Sequence, residues 1–135
     1  MFTPERTKGE IIDFEMQILF AGSLMKRTRA YHAMITCSEM DMMNMKNYGD
    51  IHKAYVIFIC MFDPFEKGRH VSTFRNICRE DTSIELDDGA ETIFINAKGT
   101  ADDASPKLKA FLELLKGKSS NVCAWPTLQM SKSAR

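Results

Sequence analysis

Glu15-Met16-Gln17 lies inside an otherwise apolar run, Glu10 to Phe20, that reads Glu-Ile-Ile-Asp-Phe-Glu-Met-Gln-Ile-Leu-Phe. On an extended chain the side chains alternate, so Glu15 and Gln17 leave the same face. A carboxylate and an amide side by side in an apolar strand are costly unless something pairs them. A divalent metal ion would satisfy the carboxylate. The chemistry this spacing suggests is metal binding by a strand-borne carboxylate.

That strand needs a frame. Residues 1–9 are polar and end in Gly9, which suits a short turn into strand 10–20, and Gly22 breaks the strand. From Ser23 to about Asn47 the spacing of Leu24, Ala30, Tyr31, Met34 and Ile35 predicts a helix with Ser23 as its cap. Lys26, Arg27 and Arg29 place positive charge in its first turns, the unfavourable sign for a helix N-terminus. They point to an anionic partner, to a solvated face, or to pairing with Asp13 or Asp63.

Gly49-Asp50 makes a turn. Ala54–Phe62 is apolar on both faces and predicts a strand in the middle of a covered sheet. Asp63-Pro64-Phe65 stops it. Val71–Arg79 and Glu91–Ala97 predict two further strands, paired antiparallel, with a turn at Asp87-Asp88-Gly89. Ser105-Pro106 opens a second helix with an apolar stripe of Leu108, Phe111, Leu112 and Leu115, ended by Gly117. Residues 118–135, rich in Ser and Lys, read as a divergent, poorly ordered tail.

The length, 135 residues, fits one domain. Eighteen basic and eighteen acidic residues cancel, so any basic surface is local. Cys37, Cys60, Cys78 and Cys123 lack metal-ligand spacing and read as reduced, mostly buried thiols of a cytoplasmic protein. No apolar run is long enough for a membrane span, and the N-terminus lacks a signal-peptide core. Ten methionines, clustered in the first third, read as packing filler.

The order of motifs carries a resemblance. Glu15-Met16-Gln17 is followed by Lys26-Arg27-Thr28-Arg29-Ala30-Tyr31, Ala54-Tyr55-Val56-Ile57-Phe58-Ile59-Cys60 and Phe62-Asp63-Pro64-Phe65. Phe74-Arg75-Asn76-Ile77-Cys78, Ile93-Phe94-Ile95-Asn96-Ala97-Lys98-Gly99 and Ser105-Pro106-Lys107-Leu108-Lys109-Ala110-Phe111-Leu112 complete the series. Together they resemble the recombination-promoting nuclease and transposase family of bacterial mobile elements, within the PD-(D/E)XK nuclease superfamily, over roughly residues 9–117.

The resemblance implies an α/β fold, a restriction-endonuclease-like mixed sheet flanked by helices. It implies cleavage of DNA by a water activated on Mg²⁺ or Mn²⁺. By resemblance Glu15 is a metal ligand and Gln17 orients the water. Met16 offers only its backbone carbonyl to the metal, and Lys26, Arg27 and Arg29 contact DNA phosphates.

The chain also departs from the pattern. The family's metal-binding Asp lies on an earlier strand, and no strand with an inward Asp fits between Met1 and Gly9. Asp13 shares the face of Glu15 and could in principle supply a second carboxylate, but it is not the family's Asp. Residues 1–117 are therefore expected to form a partial, N-terminally truncated domain, with the tail after it changed by a frameshift. An incomplete sheet would leave an open edge for self-association.

Two other outcomes follow from the same residues: a non-catalytic remnant that binds DNA or itself, and a structural protein in which Glu15 pairs with Arg27 or Arg29. Tyr31 is expected in the core, with a hydroxyl that could cap the site. His32, His52 and His70, one per element, are expected to be structural. Glu80, Asp81, Glu85, Asp87 and Asp88 form an acidic turn that would face away from nucleic acid.

Overall fold

The computed structural model describes residues 5–7, 9–44 and 46–119. Its elements in chain order are β1 (Glu5–Thr7), β2 (Glu10–Gln17), α1 (Leu24–Met43), β3 (Lys53–Cys60), β4 (Val71–Phe74), β5 (Ala90–Asn96) and α2 (Pro106–Ser119). A single 3₁₀ turn, Tyr48–Asp50, precedes β3. The strands form one mixed sheet in the order β1-β2-β3-β5-β4. The expected α/β architecture, a mixed sheet with helices, is what the chain forms.

β2, β3 and β5 are mutually parallel, while β1 and β4 run antiparallel at the two edges. A parallel pair needs a long crossover, and α1 supplies the one between β2 and β3. β3 is the central strand, as its apolar sequence predicted. The antiparallel pairing of β4 with β5 is also as expected.

Several boundaries differ from the sequence reading. Residues 5–7 form a strand paired with Glu10–Ile12 rather than a turn. Gly9, at φ +82°, lies in the tight connection between the paired residues Thr7 and Glu10. β2 ends at Gln17, so Ile18, Leu19 and Phe20 are exposed loop residues. β4 ends at Phe74, and a tongue from Arg75 to Gly89 follows, closed by a bridge between Ile77 and Glu85. α1 stops at Met43 because Asn44 takes the left-handed conformation (φ 47°).

Ser23 sits at the N-cap of α1 but makes no side-chain cap. Ser105 does cap α2, its Oγ accepting from the Leu108 N–H at 3.2 Å. α2 runs through Gly117 to Ser119, where the sequence predicted a stop at Gly117. Residues 120–135, most of the expected tail, lie outside the described residues.

α1 buries Leu24, Tyr31, Ile35 and Glu39, a stripe seven, four and four residues apart. Ala30 and Met34, expected in that stripe, are exposed. The helix lies on the sheet face that carries Ile11, Ala54, Val56, Phe58, Cys60 and Phe94, and these residues form the core with it. An aromatic row crosses this face: Tyr31 stacks on Phe58 (5.8 Å) and Phe58 on Phe94 (5.4 Å).

Candidate functional site

Strand alternation decides which polar groups meet. β2 presents Ile11, Asp13, Glu15 and Gln17 to the α1 face, and Ile12, Phe14 and Met16 to the other. In register, Asp13 lies beside Val56, Glu15 beside Phe58 and Gln17 beside Cys60. One strand further, Val56, Phe58 and Cys60 neighbour Thr92, Phe94 and Asn96. Three polar side chains therefore line the edge of an apolar surface under a helix. Asp13 is 3% exposed, Glu15 8% and Gln17 7%.

The two carboxyl groups feel one another. Burial, with the nearby Glu15 charge, pushes the Asp13 carboxyl up to about 6. Asp13 Oδ2 is buried without a hydrogen-bond partner among the described residues. The charged form is thus disfavoured in the folded state, and the sign of the pH effect follows. A carboxyl raised from 3.8 to about 6 on folding costs nothing below about pH 4. The cost grows between pH 4 and 6, and it is fully present above pH 6.

The corresponding free energy is at most about 3 kcal/mol. Asp13→Asn should accordingly raise stability to urea at pH 7.5 by about 2 kcal/mol, and the gain should vanish near pH 4. Equal stability of the two proteins at pH 7.5 would remove the basis for a strained carboxylate.

α1 brings one cation to this row. The Arg27 guanidinium donates to Gln17 Oε1 at 3.1 Å and to the Tyr31 hydroxyl at 2.8 Å. It also lies over the rings of Tyr31 (5.5 Å) and Phe58 (5.8 Å). Arg27 and Tyr31 stand four residues apart, one helical turn, so the same face of α1 delivers both. Tyr31 is in the core and presents its hydroxyl to the arginine.

The basic block therefore divides. Arg27 is half-buried and engaged with β2, whereas Lys26 and Arg29 are exposed. The Met16 side chain points away from Glu15, which limits its part in the site to its main chain.

Asp63 does not reach the basic residues as an ion-pair partner. Its carboxylate accepts from the Phe65 and Gly68 N–H groups and closes its own turn. Each histidine has a partner: His32 with Thr92, His52 with Glu39 and His70 with Asp103. The Asp103 carboxylate, held by the main-chain N–H of His70, is kept down at about 2.

Cys37 is exposed, contrary to the expectation for the thiols, while Cys60 is buried. Burial pushes the Cys60 thiol up to about 12, so beside Gln17 it is an inert apolar wall. Cys123 lies outside the described residues.

The sequence reading left out two pairings. The bond of Arg27 to Gln17 joins two elements, so the Arg27/Tyr31 spacing signals only the contact within α1. Glu39, fully buried, accepts from both the main-chain N–H and the Nδ1 of His52, and nothing local in the sequence announces it.

Among the described residues no three His, Cys, Asp or Glu side chains gather as a metal site, and no helix is long and apolar enough to cross a membrane. Comparison with protein-family models, with curated proteins and with solved structures finds no match to this chain.

Proposed function

We propose that this chain is a metal-dependent, endonuclease-like domain acting on DNA in the cytoplasm, of the recombination and transposase kind found in mobile elements. The observation that carries the reading is the pair of buried carboxylates, Asp13 and Glu15, two residues apart on one face of β2. Their oxygens are hard donors, and Asp13 Oδ2 has no partner among the described residues. Mg²⁺ typically takes one or two carboxylates and keeps its waters, so a two-carboxylate site fits it. A Mg²⁺ or Mn²⁺ held there would supply a bound water of lowered pKa and positive charge for a phosphate oxygen.

The chain's own groups take the remaining tasks. Gln17 Oε1 is occupied by Arg27, which leaves the amide NH₂ as the end offered to the site, a donor that can orient a water. Arg27, fixed between Gln17 and Tyr31, places a positive charge at the Gln17 end of the row. Lys26 and Arg29, on the exposed side of α1, would contact phosphates and position a strand without reading its bases.

A second reading is a non-cleaving remnant that binds DNA or associates through a sheet edge. It is favoured by the depth of the carboxylates under α1 and by the lack of a third acidic or histidine ligand among the described residues. Supercoiled plasmid separates the two. Nicked circles that form with Mn²⁺ and not with EDTA support the endonuclease. Intact plasmid with retained DNA binding supports the remnant.

A further inference from the structure

We propose that the open groove between the first half of α1 and the β5–β4 edge binds one unpaired nucleotide of a single strand, its base against Phe74 and its phosphate at Arg29. The choice of a nucleic acid rests on the phosphodiester reading of β2, but the groove is separate from the carboxylates.

The groove exists because α1 packs over the centre of the sheet and leaves β4 uncovered. On that side Phe74 lies beside Thr92 in register and is 47% exposed. Its ring ends an aromatic cluster, 5.1 Å from Phe65 and 5.8 Å from Phe94. A half-exposed aromatic face on a rigid cluster is a stacking platform, and any base has a matching face.

Two cavities meet there. One, of about 300 Å³, is walled by Met25, Phe65, Phe74 and Phe94. The other, of about 530 Å³, shares Thr28, Phe74 and Thr92 with it and adds Arg29, His32 and Asn76. Each is of the size that small-ligand sites occupy.

The polar end is lined by Arg29, His32, Asn76 and Thr92. His32 Nε2 lies 3.0 Å from Thr92 Oγ1, while its Nδ1 is buried with no hydrogen-bond partner among the described residues. Burial holds this imidazole below the usual histidine range, against the opposing pull of Asp88 and the Glu91 carbonyl. Its Nδ1 is out of reach of solvent, so His32 serves the groove as a wall held by Thr92.

Arg29 and Lys26 have no ion pair among the described residues, whereas Arg75 is held by Glu85 at 2.9 Å. The acidic tongue explains why a single strand fits better than a duplex. Contrary to the expectation that the acidic turn faces away from nucleic acid, Asp88 lines the groove and Glu85 stands beside it, so a second phosphate backbone would meet negative charge.

The test is the fluorescence of a 2-aminopurine set within oligo-dT, titrated with the full chain in EDTA. Binding should quench the probe. Phe74→Leu should weaken binding about tenfold, and Phe74→Trp should restore it. Arg29→Gln should weaken binding and reduce the salt slope by about 0.7.

An unquenched probe, wild-type binding by Phe74→Leu, or equal binding of duplex would each overturn the proposal. EDTA keeps the metal site out of the measurement. Quenching without any Mn²⁺-dependent nicking would therefore reject the cleavage reading alone, and nicking without quenching would reject the groove alone.

Discussion

Glu15→Gln should lower Mn²⁺-dependent nicking of supercoiled plasmid by about a thousandfold or more. The substitution keeps the size of the side chain and removes one of the two negative charges proposed to hold the ion. Metal activation of water and of the phosphate oxygen is worth several kcal/mol in the transition state, and each ~1.4 kcal/mol is a factor of ten. The fold should survive. Glu15 is one of the two causes that raise the Asp13 carboxyl, so its neutralisation relieves rather than strains the buried row. Initial nicking rates of the two proteins, alongside matched urea curves, decide the point. Unchanged nicking by a folded Glu15→Gln would place the chemistry elsewhere.

Phe58→Ala should destabilise the protein by about 3–5 kcal/mol, the range for emptying a buried aromatic position. Phe58 is fully buried at the centre of the sheet. It sits between Tyr31 and Phe94 in the aromatic row, beside Glu15 in register, and under the Arg27 guanidinium. The cavity would therefore open where the core borders the candidate site. Against a domain stability of about 5–15 kcal/mol this is a large fraction. It corresponds to a fall in Tm of roughly 10–20 °C. Phe58→Leu should cost much less, because it keeps most of the volume. A loss below about 1 kcal/mol in Phe58→Ala would mean that the row is not packed as described.

Some of this was legible in the residues and some was not. β3 could be read because a run apolar on both faces has one good place, the middle of a covered sheet. α2 could be read because Ser105, Pro106 and the leucine stripe agree with one another. Asp13, Glu15 and Gln17 could be put on one face because strand alternation is nearly rigid.

The ends of elements were harder. β2 stops at Gln17 although Ile18, Leu19 and Phe20 continue the apolar run, since pairing with β3 is exhausted at Cys60. α1 buries Glu39 and exposes Met34; a histidine thirteen residues on partners one oxygen of the acid, and composition alone cannot report that partner. The division of the basic block is also tertiary. Arg27 alone has β2 within reach, while Lys26 and Arg29 point along the other sides of the helix. β1 was missed because three polar residues carry no period; only the pairing with Glu10–Ile12 makes them a strand.

Asp13 and Glu15 are proposed to hold a divalent ion together. Equilibrium titration of the full chain with Mn²⁺ tests it most directly, run at pH 5 and pH 7.5 and repeated with the Asp13→Asn/Glu15→Gln double variant. One ion should be taken up at pH 7.5, with weaker uptake at pH 5 where the Asp13 carboxyl keeps its proton, and none in the double variant. Mn²⁺ uptake that is absent at pH 7.5, or that persists undiminished in the double variant, would contradict it.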